Sequence, residues 1–351
     1  MNKLETIVEL SHEFGGTDYV KGGGGNTSVK NETTLWVKPS GTPLAGLTTE
    51  TFVAMNRTKI NELYDVEPPG NAALREERVK NLMAAAVEND AGRPSVEAPL
   101  HNVFEAKFVV HTHPALVNGL TCAKGGEAAC KKLFPEALWV EYIDPGYTLC
   151  MEVRERIEQY KTAKGREPEL LVLQNHGIFI SADTPEEVRA LYALFMDTLR
   201  AEYSKAGIAQ TLAIAETPAS PETEEQIKSV FGDDAAFITS SGIFVYAPGP
   251  ITPDHLVYSK AFPYDVSLTA DGAAAYQSKY GYMPKVVVAG DRVYGIGNSQ
   301  KNAGLALELA QDGALVMQLS EAFGGINYMT DAQREFIENW EVESYRAKQV
   351  S

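Results

Sequence analysis

The chain has 351 residues, 44% of them hydrophobic and 22% charged, the balance of a globular protein long enough for one main core and a smaller attached one. No stretch reaches the roughly 18 consecutive apolar residues of a membrane span. A formal charge of −16 runs against a nucleic-acid partner, which needs clustered basic side chains to displace phosphate counterions.

In chain order, Met1–Leu10 reads as an amphipathic helix with interspersed acids. It has neither the apolar segment nor the cleavage site of a secretory signal, so the expected compartment is the cytoplasm. Lys21-Gly-Gly-Gly-Gly-Asn-Thr-Ser28 is a glycine run whose backbone amides can approach an anion, with Asn26, Thr27 and Ser28 adding donors. Taken alone, such runs are usually just turns. Thr34–Lys38 reads as a strand, and Lys38-Pro-Ser-Gly41 as a turn offering a hydroxyl and a cation; neither segment is a Walker-type loop.

Arg93-Pro-Ser-Val-Glu97-Ala-Pro-Leu-His101 places a carboxylate just upstream of Phe108-Val-Val-His-Thr-His-Pro114. An apolar run entering His-Thr-His reads as a buried strand, and its alternation puts His111 and His113 on one face. A second apolar run delivers His176 in Leu171-Val-Leu-Gln-Asn-His176-Gly-Ile-Phe-Ile180. One histidine at a strand end is most often a hydrogen-bonded core or surface residue. Three of the chain's six, delivered by apolar runs and two of them directly beside glycine or proline, point instead to one divalent ion with a coordination position left open for substrate. His12, His101 and His255 stand outside this group. Cys122, Cys130 and Cys150 lack CxxC spacing and an even count, and read as reduced thiols without a chemical role.

Glu186–Arg200 has apolar residues at helical spacing, capped by Asp183-Thr-Pro185. The alternation of helices and short strands up to about residue 205 gives an α/β/α layered domain. Ala215–Thr223 has connector composition, which separates a catalytic domain, residues 1–214, from a smaller α/β domain, residues 224–351. Strands are expected there at Phe237–Thr239, Gly242–Tyr246, Pro284–Ala289 and Asp291–Ile296, then a helix over Asn302–Gln311. The order strand, turn, strand, helix echoes residues 171–200, but the second copy carries no histidine. Asp254-His255 or the Asp291 turn could give this part a ligand site of its own, although an Asp-His pair is more often a helix cap and a surface residue.

GGGGNTS, KPSG, PSVEAPLH, HTHP and NHGIFISADTPEEV, in that order over residues 1 to about 205, resemble the class II aldolase/adducin family. That family includes fuculose-phosphate and rhamnulose-phosphate aldolases and ribulose-phosphate 4-epimerase. The remainder, through Phe336-Ile-Glu-Asn-Trp-Glu-Val-Glu343, resembles the extra part of the aldolase half of bacterial fusions with an alcohol dehydrogenase, the chain ending where the dehydrogenase would begin. The resemblance implies Zn2+, or another divalent metal, on His111, His113 and His176, with Glu97 as catalytic acid/base. It implies phosphate contacts from Gly25, Asn26, Ser40, Gly41 and Ser95, although Val96 stands where family aldolases often carry a second serine. The implied reaction cleaves a ketose 1-phosphate to dihydroxyacetone phosphate and an aldehyde through a metal-stabilised enediolate. Family alternatives are epimerisation, decarboxylation, or an adducin-like scaffold role, against which the retained histidines and Glu97 speak. A tyrosine from a neighbouring subunit serves the leaving aldehyde in the family; Tyr142 and Tyr147 fall in the matching stretch, and a homotetramer is expected.

Overall fold

The computed structural model describes residues 2–65, 72–215 and 217–340. Met1, Glu216 of the connector and Glu341–Glu343 of the closing segment therefore lie outside the described residues. The helices are α1 (Lys3–Glu13), α2 (Arg57–Asn61), α3 (Ala72–Ala86), α4 (Ala98–Val103), α5 (Ala115–Thr121), α6 (Gly126–Leu133), α7 (Tyr147–Lys164), α8 (Pro185–Lys205), α9 (Pro221–Phe231), α10 (Pro253–Tyr258), α11 (Ala270–Tyr280), α12 (Gln300–Ser320) and α13 (Asp331–Asn339). No described helix is long and apolar enough to cross a membrane.

The chain divides into two compact units, residues 1–117 with 126–199, and residues 118–125 with 200–351. The division falls inside α8 rather than in the proline-rich connector. The reason is packing: Tyr203, fully buried near the end of α8, meets Phe323 at 5.5 Å between ring centroids. Gly119 belongs with them, since a Cβ there would lie 2.5 Å from both Tyr203 Oη and Leu319 Cβ.

In the first unit seven strands lie in the order β3 (Val53–Asn56), β2 (Thr34–Val37), β1 (Asn26–Lys30), β4 (Phe108–Thr112), β7 (Gly177–Ala182), β6 (Leu170–Leu173), β5 (Leu138–Val140). Among the described strands of this sheet, only β5 and β6 pair in parallel. Every residue of β1, β4, β6 and β7 is buried, because helices cover both faces. On one face Val109, Leu171 and Phe179 pack with Leu100 of α4, with Phe104 just after it, and with Leu149, Val153 and Ile157 of α7. Each such side chain removed from water stabilises the fold by about 1.5–3 kcal/mol. On the other face Thr112 bonds Tyr192 of α8 at 2.7 Å, and Phe14, following α1, stacks on Tyr192 at 4.1 Å. This is the layered α/β/α arrangement that the alternation of elements anticipates.

The second unit repeats the principle on a smaller scale. Its antiparallel sheet has the order β8 (Phe237–Gly242), β10 (Arg292–Gly297), β9 (Val286–Ala289). Helix α12 packs on one face, where Gly295 and Gly297 leave room for the Ala303 backbone; Tyr294 and Ile296 turn the other way, toward Ile227 of α9 and Ala273 of α11. The strand expected at Gly242–Tyr246 does not form. β8 ends at Gly242, whose Cβ position is filled by the Ala215 carbonyl, and Ile243 instead accepts a backbone hydrogen bond from Ala215 at 3.1 Å. The internal echo is present in element order: β6, turn, β7, α8 against β9, turn, β10, α12, with 21 residues in each helix.

Candidate metal centre

Cross-strand register builds the site. Asn26 of β1 and Phe179 of β7 lie directly opposite His111 of β4 from its two sides, so all three side chains share one face. The His111 imidazole stacks on Phe179 at 3.8 Å and 12°, and its Nδ1–H donates to the Ile178 carbonyl at 2.9 Å. That bond fixes the tautomer and leaves the Nε2 lone pair pointing away from the sheet. His113 follows two positions on, beyond the last residue of β4, held by a backbone bond to the Tyr19 carbonyl at 2.9 Å. Its Nε2 lies 2.8 Å from Nε2 of His111, a separation at which two ring nitrogens share a proton or a cation.

His176 comes from the turn between β6 and β7. Asn175 before it is left-handed, with φ 51°, a conformation asparagine tolerates better than most residues. Gly177 after it has no alternative, since a Cβ would stand 2.4 Å from the Thr112 carbonyl oxygen and 2.7 Å from the His113 ring. The tight turn thus presses His176 against His111 and His113. The three ligand atoms lie within 4.8 Å of one another and all three residues are buried.

Glu97 closes the group. It is the N-cap residue of α4, with Pro99 in the first turn. Its Oε2 is 3.5 Å from His111 Nε2 and its Oε1 3.6 Å from His176 Nε2. Asn26 Nδ2 donates to Oε2 at 2.6 Å, while Oε1 is buried without a hydrogen-bond donor. A buried carboxylate oxygen without a donor, facing imidazole nitrogens, is an arrangement a cation satisfies. Three imidazoles and a carboxylate are a borderline-ion donor set, and the residues present fit zinc or a similar divalent metal.

The turns expected to meet phosphate are assembled beside one another. Ser40 donates its backbone N–H to Arg93 at 2.8 Å and Ser95 donates to Lys38 at 3.0 Å, which zips the Lys38–Gly41 turn onto the segment before Glu97. Those amides are consumed, so the hydroxyls of Ser40 and Ser95 are the groups these residues can offer. Lys38 is buried and bonds the carbonyls of Gly23 at 3.0 Å and Thr42 at 2.7 Å, tying the glycine run to the turn. Gly25 and Gly41 both have positive φ, 63° and 80°, and a Cβ on Gly25 would strike the His111 carbonyl at 2.7 Å. Val96 is half-buried. The carboxamide of Asn26 is drawn into the carboxylate's network, Nδ2 to Glu97 and Oδ1 to His101.

Other residues fall elsewhere. Tyr147 is buried among Leu35, Val37, Met83 and Ala98, and Tyr142 is half-buried. His12 bonds the Leu47 carbonyl at 2.7 Å. His255 is not a surface residue but buried, between Thr252 at 2.7 Å and Asp312 at 3.4 Å. The three thiols are buried, which pushes each up to about 12 and makes them inert. His101 is the residue that reading the sequence left out. The available signal was its spacing from Glu97: four positions along a helix brings both to one face.

A site able to take a divalent ion, carried on a helix-covered mixed sheet, is the class of protein that this geometry defines. Residues 5–203 match the model of the Class II Aldolase and Adducin N-terminal domain, more than half of the 351 residues, and the chain belongs to that family. Among solved structures it is similar to the N-terminal class II aldolase domain of a conserved protein from Thermoplasma acidophilum, at 24% identity and TM-score 0.49, covering 56% of this chain and 92% of that one. An L-fuculose-1-phosphate aldolase from Thermus thermophilus is 16% identical with TM-score 0.39, covering 58% and 95%. A sugar-phosphate aldolase from Thermotoga maritima is 15% identical with TM-score 0.38, covering 58% and 97%. No curated protein matches the chain.

Proposed function

We propose that the chain is a divalent-metal-dependent aldolase, a lyase that cleaves a ketose 1-phosphate of the rhamnulose or fuculose type to dihydroxyacetone phosphate and an aldehyde. The observation that supports it most is the convergence of His111, His113 and His176 within 4.8 Å, beside the Glu97 carboxylate. Zinc bound there would supply Lewis acidity to the substrate's carbonyl and adjacent hydroxyl oxygens, stabilising negative charge as the carbon–carbon bond breaks.

The remaining roles belong to side chains. Glu97 delivers a proton to the carbon left electron-rich by cleavage and takes it back in condensation. Asn26 orients the carboxylate by donating to Oε2. The hydroxyls of Ser40 and Ser95, with the closely approaching backbone at Gly25 and Gly41, receive the phosphate, and Val96 makes that pocket one hydroxyl poorer. The stacked, hydrogen-bonded His111 ring cannot rotate away, so the ligand geometry exists before substrate arrives.

The test is metal analysis of the purified chain with a screen of ketose 1-phosphates. We expect stoichiometric zinc, release of dihydroxyacetone phosphate, loss of turnover on chelation and its return with zinc. A folded, metal-free chain without turnover would favour a scaffold role instead, and an epimer or carbon dioxide as product would move the assignment to another reaction within the family. Light scattering should report a tetramer.

A further inference from the structure

We infer that His101 is a positioning residue for the catalytic carboxylate, acting through the carboxamide of Asn26. The inference rests on the proposed acid/base role of Glu97 and extends it to a side chain outside the histidine triad.

Three constraints of the fold produce the arrangement. Glu97 and His101 are one helical turn apart, joined by the His101 N–H to Glu97 carbonyl bond at 2.9 Å, so both descend from α4 onto the sheet. Asn26 and Ser28 alternate onto the same face of β1. His101 lands between them: Nδ1 is 2.7 Å from Ser28 Oγ, and Nε2 bonds Asn26 Oδ1. Its ring also meets Phe179 edge-on at 5.4 Å, beneath the residue on which His111 stacks.

Polarity then follows by elimination. Asn26 Nδ2 donates to Glu97 Oε2 at 2.6 Å, so Oδ1 faces His101 and can only accept. His101 must therefore carry its proton on Nε2, and a neutral ring takes the Ser28 hydroxyl proton at Nδ1. Neutrality is enforced: burial, then the neighbouring His111 and Lys30, hold the His101 imidazole well below the ordinary histidine range. The chain Ser28, His101, Asn26, Glu97 is thus directional. Without the Nε2–H, the carboxamide has no reason to present its NH2 to the carboxylate, and a half-turn would set oxygen against oxygen.

The experiment uses the full-length, zinc-loaded chain. His101→Phe preserves a ring and its contact with Phe179 but deletes both hydrogen bonds; His101→Gln preserves a donor toward Asn26. We expect His101→Phe to keep stoichiometric zinc and to lower kcat for fuculose 1-phosphate or rhamnulose 1-phosphate cleavage by about 10–100-fold, with KM nearly unchanged. His101→Gln should recover most of that loss. Because the two residues act in series, His101→Phe added to Asn26→Ala should lower kcat little further. Nitrogen-15 NMR of the wild-type chain should show His101 as the neutral Nε2–H tautomer, a readout that needs no turnover and no variant that folds. An Nδ1–H tautomer, or losses that multiply in the double variant, would overturn the inference. Absence of cleavage by the wild type would overturn the proposed reaction, while the NMR tautomer would still decide the directional relay.

Discussion

The chain contains two hairpins of the same grammar, β6-β7 followed by α8 and β9-β10 followed by α12, and only one of them carries the candidate site. The difference lies in the turn. Between β6 and β7 the chain runs through left-handed Asn175, His176 and Gly177, with Gly177 pressed against the β4 backbone. Between β9 and β10 the corresponding corner is Gly290, also at positive φ, 60°, and Asp291; a Cβ on Gly290 would meet nothing within 4 Å. The same scaffold therefore yields a ligand-bearing corner where the turn is squeezed against a second strand, and a plain reversal where it faces open space.

That contrast can be broken most severely at His176. Replacing it by alanine should reduce bound zinc from stoichiometric to trace and lower turnover by at least about a thousandfold, whereas Asp291→Ala should leave both unchanged; plasma emission analysis and a cleavage assay decide. Glu97→Gln separates chemistry from metal binding within the same site. Zinc should remain while turnover falls by about 10²–10⁴-fold, and unaltered turnover would remove Glu97 from the mechanism.

A buried charge sharpens the comparison of the two sheets. Lys30 of β1 is wholly buried, bonded to the Ala106 carbonyl at 2.7 Å, and burial together with the Arg57 charge brings it down to about 7 from the ordinary 10.5. Above that value the folded chain holds Lys30 neutral while the unfolded chain still binds the proton, so stability rises with pH from about 7 toward 10 and is lost as pH falls to 7. At about 1.4 kcal/mol for each pH unit, the rise from pH 7 to 10 is bounded at roughly 4 kcal/mol. Denaturant titrations across that range should show the rise in the wild type and its flattening in Lys30→Met. The smallest effects concern the two turns themselves. Gly177→Ala forces a Cβ onto backbone and should destabilise by about 1–3 kcal/mol, while Gly290→Ala incurs only the left-handed penalty, about 1 kcal/mol. Equal losses in thermal melts would mean that the close approach at Gly177 does not matter.

Much of this was legible in the chain itself, and the reasons are specific. His111 and His113 could be paired because period-two alternation is rigid, and His176 because its flanking apolar run marked a strand end. Sequence order does not reveal register. Only the pairing of β1 with β4 puts Asn26 opposite His111, so its bridge between Glu97 and His101 cannot be read from the glycine run. The compact units divide within α8, because Tyr203 packs where no local pattern announces it. Ile243–Tyr246 has strand-forming residues and, among the described residues, no partner strand.

Two of the three imidazoles issue from or just beyond β4, an interior strand laddered on both sides, to β1 and to β7. Removing the ion then empties a receptor rather than dissolving a fold, and the apo chain should keep its circular-dichroism spectrum while idle. If the proposed metal dependence holds, the chain would take up its cation as an ordinary ligand, and catalytic capacity would follow metal supply within the time of a binding equilibrium, with no refolding step between.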